Sequence, residues 1–260
     1  MLRRLIASAL KFLFRNHIYT LRQGLAQGYK IKGGLGFLKP YREPTAEERF
    51  LMNLRLDDKT VYDIGGYVGI TAMFFSRAIG ETGRVVTFEP NPGNAAAIRQ
   101  NLALNHLRNV EVIEIGLGVG RETKTLIYDP NDLATGSMNQ QIQSRLMAVQ
   151  NRQIEIAVHS LDDYVETNHL PPPDFVKIDV EGMECDVLRG MQKIMTRYQP
   201  QLFIELHGEG DSGKLTNVQN VFKLLTACHY EIWHVETAQM ADIKNLAAIR
   251  EGHFYCTHTN

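Results

Sequence analysis

Two segments of the chain place acids and a histidine where an apolar strand should end. In FVKIDVEGME, residues 175–184, the residues Phe175, Val176, Ile178 and Val180 suit a sheet interior, yet Lys177, Asp179, Glu181 and Glu184 run between them. In PQLFIELHG, residues 200–208, Glu205 and His207 follow the same plan. Successive strand residues point to opposite faces. Val176, Ile178 and Val180 therefore share one face, and Lys177, Asp179 and Glu181 the other. Likewise Phe203, Glu205 and His207 lie opposite Leu202, Ile204 and Leu206. The carboxyl ends of parallel strands border the crevice in which such sheets bind ligands, so Asp179, Glu205 and His207 are candidates for one rim. Three chemistries fit that set. His207 is a general base for an acceptor hydroxyl, its ordinary pKa lying near working pH, with Asp179 and Glu205 beside the acceptor. Alternatively the three hold a divalent cation that acidifies the hydroxyl. Or the set is structural, with Lys177 paired to Asp179 or Glu205, because buried charges need partners. The catalytic reading without a metal is taken forward.

A second group sits upstream. The string VYDIGGYVGIT, residues 61–71, reads as a strand turning into a helix. Gly65, Gly66 and Gly69 allow a tight turn and close approach of a ligand to the backbone. Asp63 precedes them, and Glu89 follows the next strand in TFEPNP. A carboxylate at the second position can hold both hydroxyls of a ribose. The loop is GGxxG rather than the GxGxxG of dinucleotide sites, and a pyrophosphate would be poorly served by Asp63. A ligand carrying an ammonium group suits that acid, which points to S-adenosylmethionine rather than NAD. Tyr67 either packs on the cofactor or faces solvent.

DIGGYVG, FEPNP, KIDVEGMECDVLRG and IELH together resemble the FkbM family of S-adenosylmethionine-dependent methyltransferases, with the likeness running from about Glu47 to His207. KIDVEGxE is the specific part, since the first two motifs are shared by many methyltransferases. The resemblance implies an α/β, Rossmann-like class I methyltransferase fold, with a seven-stranded, mostly parallel sheet whose last strand is antiparallel. It makes the strands ending at Asp179 and Glu205 direct neighbours, and it implies O-methylation of a hydroxyl on a small molecule or glycan. Asp63, Gly65 and Gly69 would lie around the methionine moiety, and Glu89 on the ribose. Ile115, Gly116 and Leu117 would wall the adenine pocket. The family commonly has a small residue and then Asn after the first loop glycine, where this chain has Gly66 and Tyr67. The [ND]PP[FY] motif of many N-methyltransferases is replaced by DVEG, and PPPD at 171–174 reads as a loop.

These residues need elements to hold them. Thr45 and Glu48 form a capping-box pattern opening a helix to about Leu54. Strands are predicted at 60–64, 84–89, 110–115, 175–180, 201–206, 230–235 and 253–257. Helices are predicted at 70–79, 92–105, 183–195 and 218–228. Thr123–Tyr128 and Ile154–Val158 read as added strands. This alternation predicts a doubly wound α/β sheet. Residues 129–153 form a polar insertion, longer than most structureless connections, that either covers the acceptor through Gly136 and Ser137 or stands free in solvent.

The 260 residues, 44% hydrophobic and 22% charged, suit one domain at 46–260 preceded by a lead-in segment at 1–45. A net charge of −1 gives no general attraction to nucleic acid. Three scattered cysteines, Cys185, Cys228 and Cys256, predict neither a disulfide framework nor a zinc site and suit a reducing, cytoplasmic setting. MLRRLIASALKFLFR predicts an amphipathic helix, packed on the body, lying on an anionic membrane or cleaved as a targeting segment. The rival functions are a non-catalytic adenosylmethionine-binding protein, which would lack the acid–histidine rim, and an NAD-dependent oxidoreductase, which would need the intact dinucleotide fingerprint.

Overall fold

TVYDI, RVVTF and FVKI are mostly apolar and buried on both faces, and a strand buried on both faces belongs in the middle of a parallel sheet. In the computed structural model these three stand side by side at the centre. Residues 14, 16–33, 41–129, 132–137, 152–207, 210–242, 246, 249 and 251–259 are described. The expected N-terminal helix falls almost wholly outside them, as do residues 138–151 of the insertion.

The elements in chain order are β1 (Ile18–Thr20), β2 (Lys30–Lys32), α1 (Ala46–Met52), β3 (Thr60–Ile64), α2 (Ile70–Ala78), β4 (Arg84–Phe88), α3 (Pro92–Leu104) and β5 (Val110–Ile113). Then come β6 (Gly116–Leu117), β7 (Glu122–Asp129), β8 (Asp132–Ser137), β9 (Arg152–His159), α4 (Leu161–Asn168) and β10 (Phe175–Ile178). They are followed by α5 (Glu184–Arg189), α6 (Gln192–Tyr198), β11 (Gln201–Leu206), α7 (Gly210–Ala227), β12 (Tyr230–His234), β13 (Gln239–Met240) and β14 (Gly252–His258).

The main sheet runs β13-β12-β14-β11-β10-β3-β4-β5. From β11 to β5 every pairing is parallel, and β14 lies antiparallel between β11 and β12. The seven strands of the sequence reading are therefore present with the last one reversed, and the two-residue β13 adds an eighth at the edge. Strand order moves outward from β3 in both directions, so the crevice at the carboxyl ends opens between β3 and β10.

One face of this sheet packs Tyr62, Ile64, Val86, Phe88, Val176 and Ile178 against α4, α5, α6 and α7. The other packs Val61, Val85, Phe175 and Phe203 against α1 and α2. Beside it, α2 and α3 meet the β1–β2 hairpin through Met73, Ile98, Leu102 and Ile31. Fully burying one such side chain contributes about 1.5–3 kcal/mol. Thr45 and Glu48 do form the capping box, and Arg42 holds Glu48 from outside.

Two expectations are corrected. The single helix expected at 183–195 is two short ones, broken at Gly190 and Met191. A Cβ on Gly190 would lie 1.9 Å from the Gly118 carbonyl oxygen, so the turn after β6 occupies the path of a straight helix. Asp162 then caps α6 by accepting the amides of Lys193 and Ile194, each at 2.9 Å. The described part of the insertion also differs from a connecting loop. Asp132–Ser137 pairs with β7, across a register irregularity, in a second sheet of order β6-β9-β7-β8. The backbone of Gly136 and Ser137 belongs to that strand, while their expected contact with an acceptor concerns side chains outside the described ones. No described helix is long and apolar enough to cross a membrane.

Candidate active site

The glycine loop is shaped by what lies behind it. Gly65 has φ 90°, and a Cβ there would sit 1.8 Å from the Asp179 carbonyl oxygen. The loop thus presses directly on the end of β10. Gly66 has no room either: its Cβ would meet Thr87 Oγ1 at 2.2 Å and Ile98 Cδ1 at 2.9 Å. Gly66 therefore serves packing onto β4 and α3. Gly69, also at φ 90°, caps α2 at its N-terminus. Tyr67 takes φ 50°, and its amide donates to Glu89 Oε2 at 2.8 Å.

In front of the loop is an open cavity of about 840 Å³, a volume that includes the solvent at its mouth. Gly65, Tyr67, Glu89, Asn91 and Gly116 line it, with Ile115, Leu117 and Leu126 as an apolar wall and Asp179, Val180 and Glu181 on the opposite side. Glu89 is buried at the cavity edge. Its Oε1 accepts from the Asn91 amide at 2.9 Å and from Asn94 Nδ2 at 3.3 Å. Burial pushes its pKa up to about 7, against the pull of those donors and of the Tyr67 amide. Asn91 caps α3 through Oδ1, which accepts from the Gly93 amide. Its buried Nδ2 has no hydrogen-bond partner among the described residues. A buried orphan donor beside a buried carboxylate and an apolar slot suits a nucleoside with free hydroxyls.

Asp63 is placed differently from the ammonium acceptor read in the sequence. It is fully buried and absent from the cavity wall. Both its oxygens accept from Thr71 Oγ1, at 3.0 and 2.9 Å, and Thr87 Oγ1 lies 3.3 Å from Oδ2. Burial raises its pKa to about 6, while the charge of Lys177 and the hydroxyls hold it down. Thr87, Asp63 and Lys177 are register neighbours on β4, β3 and β10, which makes a polar seam through the α1–α2 face. Asp63 thus organises the floor behind the glycine loop.

Beyond that seam, Asp179, Glu205 and His207 converge as expected. Lys177, 2% exposed, donates to Asp179 Oδ2 at 2.9 Å. His207 Nε2 lies 3.9 Å from Asp179 Oδ1, 3.5 Å from Glu205 Oε1 and 3.8 Å from Glu181 Oε2. Glu181 reaches this point after a break in strand alternation, since Glu181 and Gly182 both have positive φ. Burial pulls His207 down, but the hydrogen bond to Glu184 and the neighbouring carboxylates of Glu205 and Glu181 outweigh it and lift the imidazole to about 11. In this arrangement the imidazole keeps its proton at neutral pH, whereas the general-base reading needs it neutral.

Sequence reasoning missed the groups behind these three. Glu184, fully buried, has Oε1 2.9 Å from His207 Nδ1 and accepts Asn217 Nδ2 on Oε2 at 3.0 Å. His253 Nε2 stands 3.5 Å from Glu205 Oε2, and its Nδ1 lies 2.5 Å from Glu236 Oε1. Glu47 Oε2 is 3.6 Å from the same Nε2. His253 faces Glu205 across the β11–β14 pairing, and only that pairing could have revealed it.

Residues 63–232 match the family model described as the methyltransferase FkbM domain. Among curated proteins, Methyltransferase 1 of Beauveria bassiana is 27% identical over 150 residues, covering 52% of this chain and 59% of that protein. The hexuronic acid methyltransferase AglP of Haloferax volcanii is 25% identical over 178 residues, covering 68% of each. The crystal structure of methyltransferase FkbM from Methylobacillus flagellatus shares the fold at 19% identity and a TM-score of 0.50, covering 80% of this chain and 45% of that one. The chain thus spans little more than half of the first relative and under half of the solved structure.

Proposed function

The chain belongs to the FkbM methyltransferase family, and on that basis we propose that it is an S-adenosylmethionine-dependent methyltransferase acting on a hydroxyl of a small molecule or glycan. S-adenosylmethionine supplies, when bound, a methyl group on an already activated sulfonium. Glu89 receives the ribose hydroxyls, and Asn91 Nδ2 gives its unused hydrogen bond to the same nucleoside. Ile115, Leu117 and Leu126 exclude water from the base. Gly65 and Gly69 keep the loop backbone open on the methionine side.

A single observation carries this reading. Asp179 and Glu181 belong both to the cavity wall and to the rim around His207. An acceptor held at the rim therefore meets whatever the cavity holds. Methyl transfer is an in-line displacement, and alignment of the two reactants supplies much of its rate. The rim has then to hold the acceptor oxygen and take up its proton: the carboxylates of Asp179 and Glu205 are assigned the proton, and the protonated His207 beside them the hold on the oxygen. AglP, named for hexuronic acid methylation, supports an acidic sugar as the first acceptor to test.

The test is incubation of the full chain with methyl-labelled S-adenosylmethionine and a panel of hexuronic acids, neutral sugars and nucleosides. The expected result is label in a hexuronic acid ether together with S-adenosylhomocysteine, both lost in Glu89→Ala. Absence of product from every acceptor, combined with no binding of S-adenosylmethionine, would contradict the proposal.

A further inference from the structure

Each of the three groups at the rim is held from behind by a different residue. Asp179 gives Oδ2 to the ammonium of the fully buried Lys177 and turns Oδ1 toward His207. Glu205 turns Oε2 toward His253 and Oε1 toward His207. His207 engages the buried carboxylate of Glu184 through Nδ1, which leaves Nε2 facing the two carboxylates. One polar atom of each side chain is thus anchored, and the other is aimed at a common point. One ligand atom from each of Asp179, Glu205 and His207 lies within 4.8 Å of the other two.

We propose that Asp179 Oδ1, Glu205 Oε1 and His207 Nε2 bind a divalent cation of the magnesium or manganese class at the mouth of the cavity, the cation displacing the proton from Nε2 to solvent while Nδ1 keeps its own toward Glu184. Ligands held at ~2.1 Å from an octahedral ion lie about 3 Å apart when adjacent and about 4.2 Å apart when opposite. The observed separations of 3.5 and 3.9 Å from His207 Nε2 fall between those limits. They are also longer than a normal hydrogen bond, so the three atoms surround a point without closing on one another. A histidine ligand typically gives its second ring nitrogen to a carboxylate, which fixes the ring. Glu184 stands in that position, with Asn217 and the Gly182 amide holding it in turn. Glu181 Oε2, 3.8 Å from Nε2, brings a further carboxylate to the same point. Negative charge gathered this way favours a compact cation.

The site stands on these contacts alone. Its role in catalysis rests on the proposed function: a cation there would polarise the acceptor hydroxyl and lower its pKa beside the cavity.

The test is titration of the chelator-treated full chain with Mn²⁺, reading free Mn²⁺ by electron paramagnetic resonance and heat by calorimetry. One Mn²⁺ per chain is expected. Asp179→Asn and Glu205→Gln should each weaken binding at least tenfold. Glu184→Gln keeps all three ligands and loses only the anchor of His207, and it should weaken binding about 10- to 100-fold. Glu111→Gln, at a half-buried acid on β5 that pairs with Arg84, should bind as wild type. Thermal melts identify any variant that fails to fold, and the folded ones among Glu205→Gln and Glu184→Gln then carry the test. No bound Mn²⁺ in the wild type, or equal binding in these variants, overturns the proposal. Mn²⁺ binding without methyl transfer would leave the cation site standing and remove the proposed function. Methyl transfer undiminished by chelator, with no Mn²⁺ bound, would do the reverse.

Discussion

Gly65 and Asp179 touch so closely that a single added carbon separates the two halves of the site. A Cβ on Gly65 would lie 1.8 Å from the Asp179 carbonyl oxygen, and Gly65 also needs its positive φ. The cofactor loop and the acid rim are therefore built on one contact between the ends of β3 and β10. Gly65→Ala meets both obstacles at once, a left-handed penalty of about 1–2 kcal/mol and an overlap of about 1–3 kcal/mol. We expect a loss of about 2–5 kcal/mol in chemical denaturation and no detectable S-adenosylmethionine binding. A variant as stable as wild type would show that the loop and β10 are not in contact.

On the proposed function, Glu89 should make S-adenosylmethionine affinity depend on pH. Its carboxyl is raised to about 7 in the ligand-free fold, and ribose hydroxyls donate best to the ionised form. Affinity should therefore rise about tenfold between pH 6 and pH 8, as the ionised fraction rises. The sign for stability is opposite. Between the unfolded value near 4.5 and the folded value near 7, only the folded state holds the proton, so this group costs stability as pH rises through that window. Isothermal titration of wild type against Glu89→Gln checks this: the slope should be absent from the variant, and an equal slope in both would assign it to another group.

Asn91 separates cofactor binding from stability. Asn91→Ser keeps an N-cap oxygen for the Gly93 amide and removes the orphan Nδ2. The melting temperature should move little, because Ser caps nearly as well as Asn. Affinity for S-adenosylmethionine should fall about tenfold, the worth of roughly one hydrogen bond to a buried donor. Unchanged affinity would show that the cavity ligand leaves Nδ2 alone.

Lys177 tests the polar seam. It is buried, and although burial alone lowers its pKa, Asp179 and Asp63 raise it well above the ordinary lysine value. Lys177→Met leaves two carboxylates without their cation. Removing one partner from a buried pair costs about 3–5 kcal/mol, and urea denaturation should report a loss of that order. Adding Asp63→Asn to Lys177→Met should recover part of it. A single variant as stable as wild type would mean that the seam is not a charge pair.

The sheet was legible because its strands are apolar runs between glycine and proline signals, so TVYDI, RVVTF and FVKI gave both position and class. Asp179, Glu205 and His207 were legible for the same reason: charge at the end of a buried strand is costly unless something uses it. Glu89 was marked by its place after the second strand. Partners that depend on pairing were not visible. His253 meets Glu205 only because β14 runs antiparallel beside β11, and nothing near residue 253 announces it. Glu184 looks like one more surface acid of a short helix until its burial is known. Asp63 was read toward the ligand because its neighbours Thr71 and Thr87, which take up its oxygens, lie on two other elements. Likewise Gly190 gives no sign in the sequence that the Gly118 carbonyl blocks a continuous helix there.

The central claim, that the cavity in front of Gly65 and Glu89 holds S-adenosylmethionine, is tested most directly by calorimetry of the full chain with S-adenosylmethionine, with NAD as the comparison. The account predicts one S-adenosylmethionine per chain, at least tenfold weaker in Glu89→Ala, and no heat from NAD. An absence of heat from S-adenosylmethionine, or equal binding in Glu89→Ala, would contradict it.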